Sequence, residues 1–64
     1  MVKIVVREYR GIFSRVQQYE WVRMEGRDGA VDHVIPFGPF ESIAAAVADY
    51  QSHRSPGDPE PDME

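Results

Sequence analysis

The junction between Phe37 and Tyr50 constrains this chain more than any other feature. Phe37-Gly38-Pro39-Phe40 is a turn-like aromatic segment, Glu41 or Ser42 offers a helix cap, and Ile43-Ala44-Ala45-Ala46-Val47-Ala48-Asp49-Tyr50 follows. A Ser or acidic residue just before an apolar run marks a helix start, because its side-chain oxygen accepts from a free N–H of the first turn. Ile43, Ala46, Val47 and Tyr50 recur at the spacing of one helical stripe. The alanines on it permit close approach to whatever lies beneath. Everything before this junction reads as extended chain, so the sequence predicts one helix laid on a small sheet.

Three strands account for the extended part. Val2, Ile4 and Val6 alternate with Lys3, Val5 and Arg7, the period-two pattern of a half-buried strand over residues 1–9. Gly11 ends it with a bend. Residues 16–24 form a second strand, with Tyr19, Trp21 and Arg23 on one face and Glu20, Val22 and Met24 on the other. Gly26-Arg27-Asp28-Gly29 is a hairpin signal. Residues 30–35 make the third strand, ended by Pro36, which has no N–H for a ladder. The expected fold is α+β: a three-stranded antiparallel sheet packed against one C-terminal helix, in the order βββα, forming a single domain over residues 1–53.

Residues 54–64 differ in composition. They contain three Pro, four acidic residues and one Arg. Such a segment has little apolar surface to offset the entropy of ordering, so a disordered Pro-rich acidic tail is expected. Residues 1–53 carry six basic and seven acidic side chains, which leaves the body near neutral and places most of the net −4 charge in the tail.

A chain of 64 residues without Cys has no disulfide or thiolate site to staple it. Its two His lack zinc-site spacing, and no cofactor is expected. No nucleophile elbow or phosphate-binding loop is present, so the chain is read as non-enzymatic. The apolar run from Ile43 to Ala48 is too short to span a bilayer, and no secretory leader is visible, which makes a cytoplasmic location without membrane contact the expectation. Small size makes a homodimer, or docking on a larger partner, a reasonable route to stability.

Two segments have the composition of a contact surface. Tyr9, Arg10, Phe13 and Arg15 surround the Gly11 bend, and Tyr19, Trp21 and Arg23 line one strand face. Interface hot spots are enriched in Trp, Tyr and Arg. One helix covers one face of a sheet, so whichever of Tyr19, Trp21 and Arg23 lie on the open face are available to a partner or a second copy.

Short motifs over residues 9–51 resemble the AP2/ERF DNA-binding domain. Tyr9-Arg10-Gly11-Ile12 is similar to that family's opening Tyr-Arg-Gly-Val, and Arg15 falls where a family Arg follows. Trp21-Val22 resembles its second-strand Trp-Val, Gly38-Pro39-Phe40-Glu41-Ser42 its Gly-Thr-Phe-Asp-Thr, and Ala46 and Tyr50 its helix residues. The resemblance implies a three-strand, one-helix fold and direct nucleic-acid binding through sheet Arg and Trp. Phe13 stands where one such Arg would be, and the acidic balance opposes phosphate contact. In size and charge the chain also looks like small phage or mobile-element inhibitors, such as anti-CRISPR proteins. That likeness implies a larger protein as partner, including one in a nucleic-acid-binding complex.

Overall fold

The computed structural model describes residues 1–12 and 15–64. Four strands and one helix follow in the order β1 (Val2–Tyr9), β2 (Gln18–Arg27), β3 (Ala30–Phe40), α1 (Ile43–His53) and β4 (Asp62–Met63). The sheet order is β3-β2-β1-β4. β1 and β3 flank β2 antiparallel, while β4 runs parallel to β1, with Val5 opposite Asp62 and Val6 opposite Met63. The fold is α+β with one helix after three strands, but the sheet has four strands, and the helix is not the last element.

Local chemistry accounts for the joints. The β2–β3 hairpin turns at Asp28 and Gly29, both at positive φ (55° and 81°). Asp and Gly tolerate this left-handed pair of angles, which matches the twist of the flanking strands. Gly26 is required nearby for a different reason: a Cβ there would lie 1.9 Å from the Ala30 carbonyl oxygen. At the helix start the Ser42 hydroxyl accepts from the Ala45 N–H at 3.0 Å.

β3 does not end at Pro36 as expected but continues to Phe40. It is an edge strand, where a residue without an N–H is tolerated. Two register shifts against β2 fit extra residues into β3. At the first, Gly26 pairs with Val31 and Glu25 with His33, leaving Asp32 as the additional residue. This bulge breaks the alternation that would send Asp32 and His33 to opposite faces. Their side chains instead come within 3.5 Å, both exposed. A bulge and two prolines also blunt an edge against pairing with another strand.

The core lies between α1 and one sheet face. Ile4 and Val6 of β1, Trp21 of β2, and Ala46 and Tyr50 of α1 are buried there, with Val2, Tyr19, Phe37, Phe40 and Val47 packed around them. Ala46 is fully buried, so its small side chain sets how closely the helix approaches. Ile43, expected on the same stripe, is largely exposed and lies at the helix margin. Trp21 is the centre of this packing. It stacks on Phe37 at 4.0 Å between ring centroids and meets Tyr50 edge-on at 5.1 Å. Its indole N–H donates to Asp49 Oδ2 at 2.8 Å, which satisfies the one polar atom the ring carries into the core.

The opposite sheet face carries Val5, Arg7, Glu20, Val22 and Met24. Val5 and Val22 are nonetheless buried. Arg7 Nε donates to Glu20 Oε2 at 2.7 Å on this same face, and the long side chains around the two valines shield them in place of a second layer.

Truncating a buried Trp typically costs about 3–5 kcal/mol, a large share of the ~5–15 kcal/mol that holds a small domain together. Trp21→Ala is therefore expected to leave the protein largely unfolded by circular dichroism at room temperature. Val34→Ala, on the exposed edge strand, should change stability by no more than about 0.5 kcal/mol in a urea titration.

Candidate functional site

Three of the residues expected at a contact surface lie beneath the helix or are engaged in the fold. Trp21 is 3% exposed. Tyr19 is half-buried against the core cluster. Arg23 is held between two carboxylates: its Nε donates to Glu25 Oε1 at 2.7 Å, and its terminal nitrogens face Asp58 at 3.2 and 3.5 Å. The face with Tyr19, Trp21 and Arg23 is thus the covered one, and none of them lies on the open face. Alternation could not reveal this, because both faces of β2 carry large apolar side chains. One signal was present: Asp49 sits one position before Tyr50 of the helix stripe, where a carboxylate can reach the Trp21 N–H.

The segment after the helix is ordered against the body, which corrects the expectation of a disordered tail. Ser55 to Asp58 form a turn, with the Asp58 N–H donating to the Ser55 carbonyl at 3.1 Å and the Ser55 N–H to Asp58 Oδ2 at 3.0 Å. Arg54 reaches forward to Glu60 Oε1 and the Asp58 carbonyl, each at 2.7 Å. The Tyr50 hydroxyl donates to the Pro59 carbonyl at 2.6 Å. The Glu64 N–H then donates to the Val6 carbonyl at 3.0 Å and so extends the contact of β4 with β1. Apolar burial contributes little here. Ion pairs and backbone hydrogen bonds hold the segment, which is why its composition gave no warning.

The other candidate segment is displayed on the surface. Tyr9 is half-buried at the end of β1, and Arg10 and Arg15 are exposed; with Glu8 they line one shallow groove. Phe13 lies outside the described residues. Ile12 is 92% exposed and Val16 72%. Among the described residues, Arg10 and Arg15 make no ion pair, whereas Arg7, Arg23 and Arg54 each do. Sequence reasoning identified Tyr9, Arg10 and Arg15 but treated Ile12 as a core cap. Val16 was assigned to β2, which begins only at Gln18. A second groove adjoins the first, lined by Arg7, Tyr9, Arg10, Glu20 and Glu64.

Further exposed apolar residues, Val31, Val34 and Ile35, sit on the bulged edge strand β3. No group of three His or carboxylate side chains among the described residues is placed to hold a metal ion. No helix among them is long and apolar enough to cross a membrane. No family model matches the chain, and neither a curated protein nor a solved structure matches it.

The tail contacts have a pH dependence. The Arg23 guanidinium, then the Ser55 N–H, hold the Asp58 carboxyl below its ordinary pKa. A carboxylate with a depressed folded-state pKa contributes stability above its unfolded value of about 4, and this contribution is lost as pH falls through the folded value. Hydrogen exchange of the Glu64 amide is expected to be slowed near pH 6, and acidification below pH 4 should remove part of that protection before the Trp21 environment changes. Asp58→Asn should show the weaker protection already at pH 6.

Proposed function

We propose that this chain is a non-catalytic binding module that acts by occupying the surface of a larger protein, which it inhibits or regulates, through the bend between β1 and β2. One observation carries the reading: two apolar side chains, Ile12 and Val16, stand in solvent beside two arginines without ion-pair partners and a half-buried tyrosine. Apolar surface left exposed next to unsatisfied Arg donors is costly to a free protein and useful in a contact. Elsewhere the chain satisfies its groups internally. Arg7, Arg23 and Arg54 are neutralised, Trp21 is buried in the fold, and no buried side-chain polar atom among the described residues lacks a partner.

Direct DNA binding, the reading the AP2/ERF resemblance implies, has less support. Trp21 faces the helix, Arg7 is paired with Glu20, and Asp62 and Glu64 lie along the same edge. Phosphate recognition needs uncompensated cations, because release of condensed counterions supplies most of its affinity.

The test compares the wild-type chain with Ile12→Asp/Arg15→Glu, which removes apolar contact and reverses one charge at exposed positions, so the melting temperature should shift little. The wild type should capture a defined protein from a bacterial lysate, and the variant should bind that purified protein about thirtyfold or more weakly, the scale of losing one hot spot. Undiminished binding by the variant would move the site elsewhere. Tight, salt-sensitive binding of duplex DNA that weakens on Arg10→Ala would support the nucleic-acid reading instead.

A further inference from the structure

We infer that the outer edge of β1, from Val5 toward Tyr9, is a strand-addition site for an extended acidic peptide, and that residues 62–64 occupy it as a displaceable internal ligand. The inference deepens the proposed function and rests on it: it assigns the partner's chemistry and a regulatory element to the surface that adjoins the bend.

β4 is two residues long, while β1 has eight. Val5 and Val6 are its pairing partners, and the Glu64 N–H adds one bond to the Val6 carbonyl. Along a strand, the backbone groups of alternate residues point to the same side. The Val6 carbonyl points outward to the tail, so the Glu8 N–H and carbonyl point the same way. Among the described residues no strand reaches them. An incoming peptide running parallel to β1 can therefore take the positions of Asp62 and Met63 and continue past Glu8, gaining backbone bonds that the tail does not make. This is the geometry of strand addition, in which main-chain bonds give affinity and flanking pockets give specificity.

Charge selects the peptide. Glu64 shares its groove with Arg7, Tyr9 and Arg10. Arg7 is already neutralised by Glu20, but Arg10 makes no ion pair among the described residues. A carboxylate two residues beyond the Glu64 position would lie beside Tyr9 and Arg10. The edge is thus complementary to an acidic strand somewhat longer than the one the chain provides. The internal ligand is also loosely seated. Met63 is 58% exposed, and the segment is anchored upstream at Asp58 and Glu60, so its end can leave while those anchors hold. A tethered segment competes at an effective concentration set by its short linker, so it weakens any outside peptide until it is displaced.

The probe is a synthetic peptide, Glu-Pro-Asp-Met-Glu-Val-Glu, which repeats residues 60–64 and adds two more. Glu64→Pro removes the N–H that bonds Val6. In this full-length variant the peptide should bind about tenfold or more tightly than in wild type, and adding Arg10→Ala should reverse most of the gain. Equal binding in the two chains, or a gain indifferent to Arg10, would overturn the inference. Should the variant lose its fold, the same question is put to the wild type by NMR. Millimolar peptide should shift the Val6, Glu8 and Glu64 amides and remove protection at Glu64, leaving Ile4 and Trp21 unchanged. No response at Glu64 or Glu8 would overturn it as well. Ile12 and Arg15 lie off this edge, so peptide failure alongside protein capture that still depends on them would reject the edge site and leave the bend as the contact.

Discussion

The packing of Trp21 beneath the helix decides what the rest of the molecule can do. One large ring stacks on Phe37, meets Tyr50 and donates to Asp49. Those contacts tie β2, β3 and α1 together around a single side chain. A 64-residue chain has one helix with which to cover its sheet, and placing Trp21 under it consigns Tyr19 and Arg23 to the same side. The surface left over is the β1–β2 bend, the β1 edge and the bulged rim of β3. The proposed function is located by that exclusion as much as by the composition of the bend itself.

The uncovered sheet face shows how so small a domain manages without a second layer. Val5 and Val22 are buried by neighbours on their own face rather than by another element. The Arg7–Glu20 pair on this face pairs the largely buried Glu20 carboxylate, which would be costly to leave alone. Cations used this way are unavailable for phosphate. The same economy operates in the tail, where Arg23 and Arg54 hold Asp58 and Glu60. The two arginines at the bend, Arg10 and Arg15, stand outside this pattern.

Much of the fold was legible in the sequence, for local reasons. The Asp28-Gly29 turn, the Ser42 cap and the alternation of β1 are each encoded within a few residues. Three features were not, and all depend on residues far apart. The covered face of β2 was ambiguous because Val22 and Met24 alternate with Tyr19 and Trp21, and the choice was made by Asp49, 28 residues from Trp21. The passage of β3 through Pro36 follows from its place at the sheet edge, which a single strand does not announce. β4 was invisible to hydrophobic patterning because backbone pairing and the Arg23–Asp58 contact, across 35 residues, order a segment with almost no apolar content. At the candidate site, Tyr9, Arg10 and Arg15 could be found from their types alone. Ile12 could not, because an apolar residue beside a Gly bend fits a core cap as well as a contact.

Trp21 is the single indole in the chain, so its fluorescence reports directly on the face assignment that underlies the whole account. In the free native protein the emission should be blue-shifted relative to the urea-unfolded chain, and acrylamide should quench it far more slowly. Native emission matching that of the unfolded chain, with equally rapid quenching and a circular dichroism spectrum that still reports a folded domain, would place Trp21 on the open face. It would contradict the assignment of the contact surface to the bend and the β1 edge.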